Sequence, residues 1–237
     1  MPLRGSAAVD SIGHALLQPS DYRVMPWKNG GGTTREIAVY PDAGDLADPS
    51  FLWRVSMADI VQSGAFSRFS GYDRTLILMN GRGLLLQCDG EPAVTLDAPY
   101  QRLDFAGECA THCTLTHGPV RDLNVMVARG AASALTAVLR PGPQPVEHAV
   151  DGQTVLLHCA EGSITVAARG HDIWDIGEGE TLRLDGGDHA PASVLLRSSG
   201  AIPATGAATT IITLRIAVQQ DAQGRPTATR SGPAGRA

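Results

Sequence analysis

Several polar side chains of this chain stand inside otherwise apolar runs, at the two-residue spacing of β-strands. In Phe51-Leu52-Trp53-Arg54-Val55-Ser56-Met57-Ala58, strand geometry puts Trp53, Val55 and Met57 on one face and Arg54 and Ser56 on the other. If the apolar face packs outside a barrel, Arg54 and Ser56 point into its lumen. A buried guanidinium there needs a carboxylate or a bound anion to satisfy its donors. Arg74 shares a face with Leu76 and Leu78, which suits a barrel mouth. Asp122 and Asn124 lie two apart and project together, with Leu123 and Val125 on the reverse. Such an aspartate can hold Arg54 or Arg74 in place or accept a hydrogen from a ligand. The plain alternative for each is a solvated strand face.

The segment Met25-Pro26-Trp27-Lys28-Asn29-Gly30-Gly31-Gly32-Thr33-Thr34-Arg35-Glu36 carries a second kind of signal. Three consecutive glycines are costly to order, so something there requires an unusual turn or a close backbone approach. Lys28, Asn29, Arg35 and Glu36 beside them offer cations and amides to an anion. The segment is no phosphate-binding P-loop, because the Lys-Ser/Thr ending is missing and a strand, Ile37–Tyr40, follows in place of a helix. A flexible surface loop is the alternative.

Two stretches test for metals. Gly64 to Gly83 resembles the first cupin motif, but the metal positions hold Ser70, Tyr72 and Leu76. These cannot supply the His and carboxylate set of a transition metal, so no metal and no other cofactor is expected. Cys109, His112, Cys113 and His117 have loosely zinc-like spacing. In a strand, however, Cys113 and His117 face away from His112, and buried thiols are the simpler expectation.

The elements that must position these residues are short and β-like. The apolar runs Thr75–Met79, Leu84–Cys88, Val94–Leu96, Leu123–Val127, Val155–His158, Ile164–Ala167, Val194–Leu196 and Thr210–Val218 each close on a turn signal. Asn80-Gly81 predicts a type I′ hairpin. A second hairpin around Glu161-Gly162 repeats the pattern, with Thr154 matching Thr75 and Gly162 matching Gly83, which points to two similar β-units. Ala131–Leu139 is a helix candidate, stopped by Pro141. Arg140-Pro141-Gly142-Pro143-Gln144-Pro145 reads as a linker. The chain has 237 residues, a net charge of −5 and 18% charged residues, with no basic stripe for nucleic acid. No run approaches the length of a bilayer span and no signal peptide is visible, so a cytoplasmic protein with Cys88, Cys109, Cys113 and Cys159 reduced is expected.

Taken together, Pro26–Glu36, Phe51-x-Trp53-Arg54-x-Ser56, Gly64-x-Phe66-Ser67-x-Phe69-x-Gly71-x-x-Arg74-x-Leu76, Asn80-Gly81-x-Gly83 and Gly118-Pro119-x-x-Asp122-x-Asn124 resemble the HutD/Ves family of bicupin-like proteins. The resemblance covers roughly residues 20–130. It implies an all-β fold, a double-stranded β-helix (cupin or jelly roll) duplicated as a bicupin, without the cupin metal set. It also implies a binding or moderating role on an intermediate of histidine utilisation, such as urocanate or formylglutamate.

The resulting division is an N-terminal extension (1–18), a first barrel with the ligand pocket (19–140), a smaller second barrel (141–218) and a flexible tail (219–237). A small carboxylate would be clamped by Arg54 and Arg74, helped by Lys28 or Arg35. Trp27 would form an apolar wall, Asn29, Ser56 and Asn124 would orient the ligand, and Asp122 would counter surplus positive charge. Neither nucleic acid nor membrane is an expected partner, and a homodimer is left open. The rival readings are a metal-independent isomerase or hydrolase, with Tyr72, Asp122 and Glu36 as acid–base groups, and a protein-binding scaffold with an exposed apolar patch.

Overall fold

The computed structural model describes residues 13–41, 51–150, 154–168, 173–186, 193–200 and 208–220. The expected tail beyond residue 220, and residues 1–12, lie outside them. Every regular element among the described residues is a strand, and none is a helix long and apolar enough to cross a membrane.

In chain order the strands are β1 (Gly13–Leu17), β2 (Arg23–Pro26), β3 (Gly32–Tyr40), β4 (Trp53–Ile60), β5 (Gly64–Ala65), β6 (Tyr72–Asn80), β7 (Leu84–Cys88) and β8 (Val94–Leu96). Then follow β9 (Arg102–Ala106), β10 (Thr111–Leu115), β11 (Val120–Ala128), β12 (Ala132–Leu139), β13 (Val146–Ala149) and β14 (Thr154–Glu161). The last are β15 (Ser163–Ala168), β16 (Ile173–Gly177), β17 (Thr181–Asp185), β18 (Ser193–Ser198) and β19 (Thr210–Val218).

Contacts divide the chain into two compact units. One holds the described residues of Gln18–Ala134 together with 216–220. The other holds the described residues of Leu135–Arg215 together with Gly13–Leu17. In the first, a six-stranded sheet β2-β3-β4-β11-β6-β9 accompanies a four-stranded sheet β5-β10-β7-β8. Its core is Ala58, Ile60, Leu76, Leu78, Leu84, Leu86, Leu96, Cys113 and Val120, with Trp27, Phe66 and Phe105 packed against it. These come from alternate positions of their strands, as a two-residue period requires. In the second unit the sheets are β1-β17-β14-β19-β12 and β13-β18-β15-β16, around Val155, Leu157, Ile164, Val166, Leu182, Leu184 and their neighbours. The pairings are antiparallel throughout β4, β6, β11, β15 and β17.

Three expectations change here. Ala131–Leu139 is no helix: it forms β12, whose burial alternates residue by residue, and it lies beside β19. Its alanines favour a helix only weakly, and pairing along a sheet edge overrides that preference. Neither expected hairpin forms: β6 and β7 lie in different sheets, as do β14 and β15, and residues 81–83 carry the chain from β6 to β7, with Gly81 and Gly83 at φ +87° and +72°. A type I′ turn on Asn80-Gly81 is therefore not made. The cysteines are not all thiols, since Cys88 and Cys109 form a disulfide with their Cα atoms 5.8 Å apart. The cause is register: Thr111 pairs with Cys88 across β10–β7, which carries Cys109 back to the end of β7. Cys113 and Cys159 are buried thiols.

Candidate functional site

The polar residues inside the apolar strands share one face of the six-stranded sheet. β11 lies between β4 and β6, and its register lines up three rows across them. Arg54, Met126 and Arg74 form one row; Ser56, Asn124 and Leu76 form the next; Ala58, Asp122 and Leu78 form the third. Ala58, Leu76 and Leu78 belong to the core of this unit, so the polar members of the rows face its interior. Arg54, Ser56, Arg74, Asp122 and Asn124 are each at most 9% exposed.

Arg54 has its partner inside the protein. Its Nε donates to Glu36 Oε2 at 2.6 Å, and Arg23, itself half exposed, holds Glu36 Oε1 at 2.9 Å. Both oxygens of the Glu36 carboxylate are thus engaged. A β-bulge between Glu36 and Ala38 shifts the β3–β4 register and sets Glu36 across from Ser56, one row from Arg54.

Arg74 is different. Its guanidinium carbon stands 5.6 Å from the ring centres of Phe66 and Phe69 and 4.8 Å from that of Phe105. Such contacts attract a cation but accept none of its hydrogens in the plane of the fork. Nη1 donates to the Ser67 carbonyl at 3.1 Å, while Nε is buried without a partner. Burial lowers its pKa to about 10, Asp122 pulls it back up, and Arg54 adds to the lowering.

Asp122 Oδ1 and Asn124 Oδ1 are also buried without partners. Burial raises the Asp122 pKa to about 7, against the attraction of Arg74 and the Ala58 amide, and Asp59 pushes the same way as burial. One donor and two acceptors therefore stand unmet on a single interior face, where each such group is expensive. Asp122 should leave a signature on stability. Between pH 3.8 and about 7 the native carboxyl keeps a proton that the unfolded chain releases. Stability from this group is thus present at low pH and lost as pH rises through that window, by up to about 4 kcal/mol. Urea unfolding of wild type and Asp122→Asn at pH 4.5 and 8 should show this loss in the wild type alone.

The glycine-rich segment forms the β2–β3 turn. The Gly32 carbonyl accepts from Trp27 N–H at 2.9 Å, and Gly30 N–H donates to the Trp27 carbonyl at 3.0 Å. A Cβ on Gly32 would lie 2.5 Å from the Asp59 carbonyl oxygen and 3.1 Å from the Trp27 ring, so this glycine is required by close approach. Gly32→Ala should cost about 1–3 kcal/mol in unfolding free energy; a variant as stable as wild type would show that the indole does not lie across this backbone. Trp27 reaches the polar face indirectly. Its Nε1 donates to Thr34 Oγ1 at 2.8 Å, and its ring meets Phe66 edge-on at 6.2 Å, the same Phe66 that flanks Arg74.

The other residues of the segment do not converge on that face. Lys28 and Asn29 are exposed, and Asn29 Oδ1 accepts from Gly31 N–H at 3.0 Å within the turn. Arg35 points to the opposite side of the sheet, where it and Arg121 both hold Asp59. The structure thus gathers Glu36, Arg54, Ser56, Arg74, Asp122 and Asn124, places Trp27 one ring away, and leaves Lys28, Asn29 and Arg35 outside.

The metal-like stretches are dispersed. Cys109 is in the disulfide, Cys113 is in the core, and His112 and His117 are exposed. Tyr72 donates its hydroxyl to the Phe51 carbonyl at 2.8 Å. No group of three or more His, Cys, Asp or Glu suited to a metal occurs among the described residues. An open cavity of about 440 Å³ borders Arg74 and Phe105, but Asp73, Thr75, Val125 and Val127 line it from the opposite face of the sheet, so it is not the interior where the unmet atoms point.

Phe66, Phe69 and Phe105 escaped the sequence reading as site residues. The first two lay in plain view within the Gly64–Arg74 motif, and Phe105 carried no signal of its own. The comparisons agree with this architecture. The HutD family profile matches residues 19–202. A Pseudomonas putida protein described as an uncharacterized 21.2 kDa protein in the hutC 3' region is 38% identical over 173 residues, which is 73% of this chain and 87% of that one. The structure of HutD from Pseudomonas fluorescens SBW25, solved in a formate condition, is 31% identical and superposes with a TM-score of 0.67 over 86% of this chain and all of that one. The Escherichia coli protein Ylba, of family DUF861, shares the cupin-like fold at 10% identity, with a TM-score of 0.63 over 92% of this chain and 96% of that one.

Proposed function

The chain belongs to the HutD family, and on that premise we propose that it is an accessory protein of histidine utilisation that binds a small carboxylate, such as urocanate or formylglutamate, inside the first unit. One observation carries this reading: Arg74, a cation enclosed by three phenylalanines, has a buried Nε without an acceptor. A carboxylate supplies acceptors in the plane of the guanidinium, which the aromatic faces do not. Asn124 Oδ1 would then accept the N–H of the ligand, and Ser56 would help to orient it. Arg54 and Glu36 would hold the rows in place, and Trp27 would back the Phe66 wall. The Lys28–Asn29 turn and Arg35 would contribute at most from outside.

The association with histidine utilisation rests on the family and on the hutC 3' region of the Pseudomonas putida relative. The repeated strand order of the two units supports a duplicated, bicupin origin, with the second unit as scaffold. A cytoplasmic setting is part of the proposal; the Cys88–Cys109 disulfide would there face thiol reductants, because such bonds are uncommon in reducing compartments.

Calorimetric titration with urocanate and with formylglutamate tests the reading. Binding of at least one is expected, and a well-folded protein that binds neither overturns it. A second reading, a metal-independent isomerase or hydrolase, is favoured only by Asp122. Of the three acid–base candidates, Tyr72 is committed to a carbonyl and Glu36 to two arginines. Turnover of either compound, followed by NMR of the mixture, would promote that reading over pure binding.

A further inference from the structure

The interior face of the first unit has a simple charge inventory. Arg54 and Glu36 cancel at 2.6 Å. Arg74 and Asp122 oppose each other without touching, each acting on the other's ionisation. Arg23 stands at the exposed side, where solvent screens it. Before any ligand enters, the buried set is therefore neutral with Asp122 ionised.

Adding a carboxylate to Arg74 changes this. Two carboxylates would then share one cation, in a place where both are stripped of water. Like charges so confined cannot both ionise at neutral pH, and one of them takes a proton. The groups that face Asp122 leave few alternatives. β4 contributes Ala58 and Arg54, with Asp59 on its reverse; β6 contributes Leu78 and Arg74; β11 itself contributes Asn124; β3 contributes Glu36. From the four-stranded sheet, β10 brings the Cys113 thiol, held neutral by burial above its ordinary pKa of 9.0, and β7 and β8 bring Leu84, Leu86 and Leu96. β9 brings Leu103 and Phe105. Glu36 is locked by two arginines, so Asp122, with Oδ1 unmet, is the group able to receive a proton.

Resting on the carboxylate reading above, we propose that the site takes up its ligand together with one proton, and that Asp122 is the residue that holds it. The step is an acid–base one. A solvent or buffer acid gives its proton to Asp122, an O–H bond forms there, and the conjugate base remains in solution. Protonated Asp122 then donates where ionised Asp122 would repel, so one residue both admits the anion and sets the pH range over which it binds. The tendency of burial to raise the Asp122 pKa toward neutrality acts in the same direction.

The test is calorimetry of the full chain with urocanate, which carries a single carboxylate, at pH 8, in phosphate and in Tris, whose ionisation enthalpies differ. Close to one proton taken up per ligand is expected for wild type, and Kd should weaken by about tenfold per pH unit above 7. Asp122→Asn, which mimics the neutral carboxyl, should bind with no proton uptake and no such pH slope. Binding by wild type with no proton uptake overturns the proposal while leaving the carboxylate site intact. A folded wild type that binds no urocanate overturns the proposal, and one that binds neither urocanate nor formylglutamate overturns the carboxylate reading as well. Should the variant fail to fold, the wild-type proton count and pH slope decide alone.

Discussion

Arg54→Ala is expected to destabilise the protein by about 3–5 kcal/mol, the usual cost of removing one partner from a buried ion pair. The substitution leaves the Glu36 carboxylate 8% exposed, with only the solvent-side Arg23 to answer it. It also removes the aliphatic part of a side chain that is 5% exposed. The loss is read as a lower urea midpoint. Glu36→Met combined with Arg54→Met should recover most of it, because replacing both partners leaves no unpaired buried charge. An Arg54→Ala protein of wild-type stability would mean that the pair is not formed in solution. The expected consequence for binding is secondary: Arg54 shares a row with Arg74 across Met126, so its loss disturbs the position of the guanidinium that matters.

Arg74→Met is expected to have the opposite profile. Three phenylalanine rings already surround this position, and methionine fills such a space with favourable sulfur–aromatic contacts. The variant also removes a buried Nε that has no acceptor, so unfolding free energy should change little. Carboxylate binding should weaken by about 1.5–3 kcal/mol, a factor of roughly 10 to 150, the worth of a charge-assisted hydrogen bond. Arg74→Lys should recover only part of this, since an ammonium lacks the planar fork. Calorimetric Kd values beside urea midpoints check both expectations. A Met variant that binds like wild type would remove Arg74 from the site, and a Met variant that unfolds would make its role structural.

The contrast between the two arginines was invisible before the strands were paired. The sequence offers Arg54 and Arg74 alike as carboxylate clamps, one in the lumen and one at the barrel mouth. Arg54 found a carboxylate because a bulge at Ile37 offsets β3 by one residue against β4. Arg35, only one residue from Glu36, went to the other face and to Asp59. A single-residue step in a strand reverses the side a residue serves, and charge and proximity in sequence carry no information about it. The triple glycine predicts an unusual turn or a close backbone approach, and also suits an anion cradle. Gly30 at φ +71° and Gly32, crowded by the Trp27 ring and the Asp59 carbonyl, meet the first demand. Both demands call for a residue without a side chain, so the sequence alone does not separate them.

What the sequence determined by itself was the side of the sheet for each residue within a strand. Arg54 with Ser56, Asp122 with Asn124, and Arg74 with Leu76 and Leu78 share faces because side chains alternate along any extended strand, whatever lies beside it. The same alternation marked the chain as all-β and placed the polar residues inside an apolar unit. What only the tertiary structure decided was partnership. Register, the bulge and the turn lengths set which strands lie side by side, and those depend on contacts between residues far apart in the chain. They gave Glu36 to Arg54, enclosed Arg74 with Phe66, Phe69 and Phe105, and joined Cys88 to Cys109. They also left Arg74 Nε, Asp122 Oδ1 and Asn124 Oδ1 unmet on one interior face.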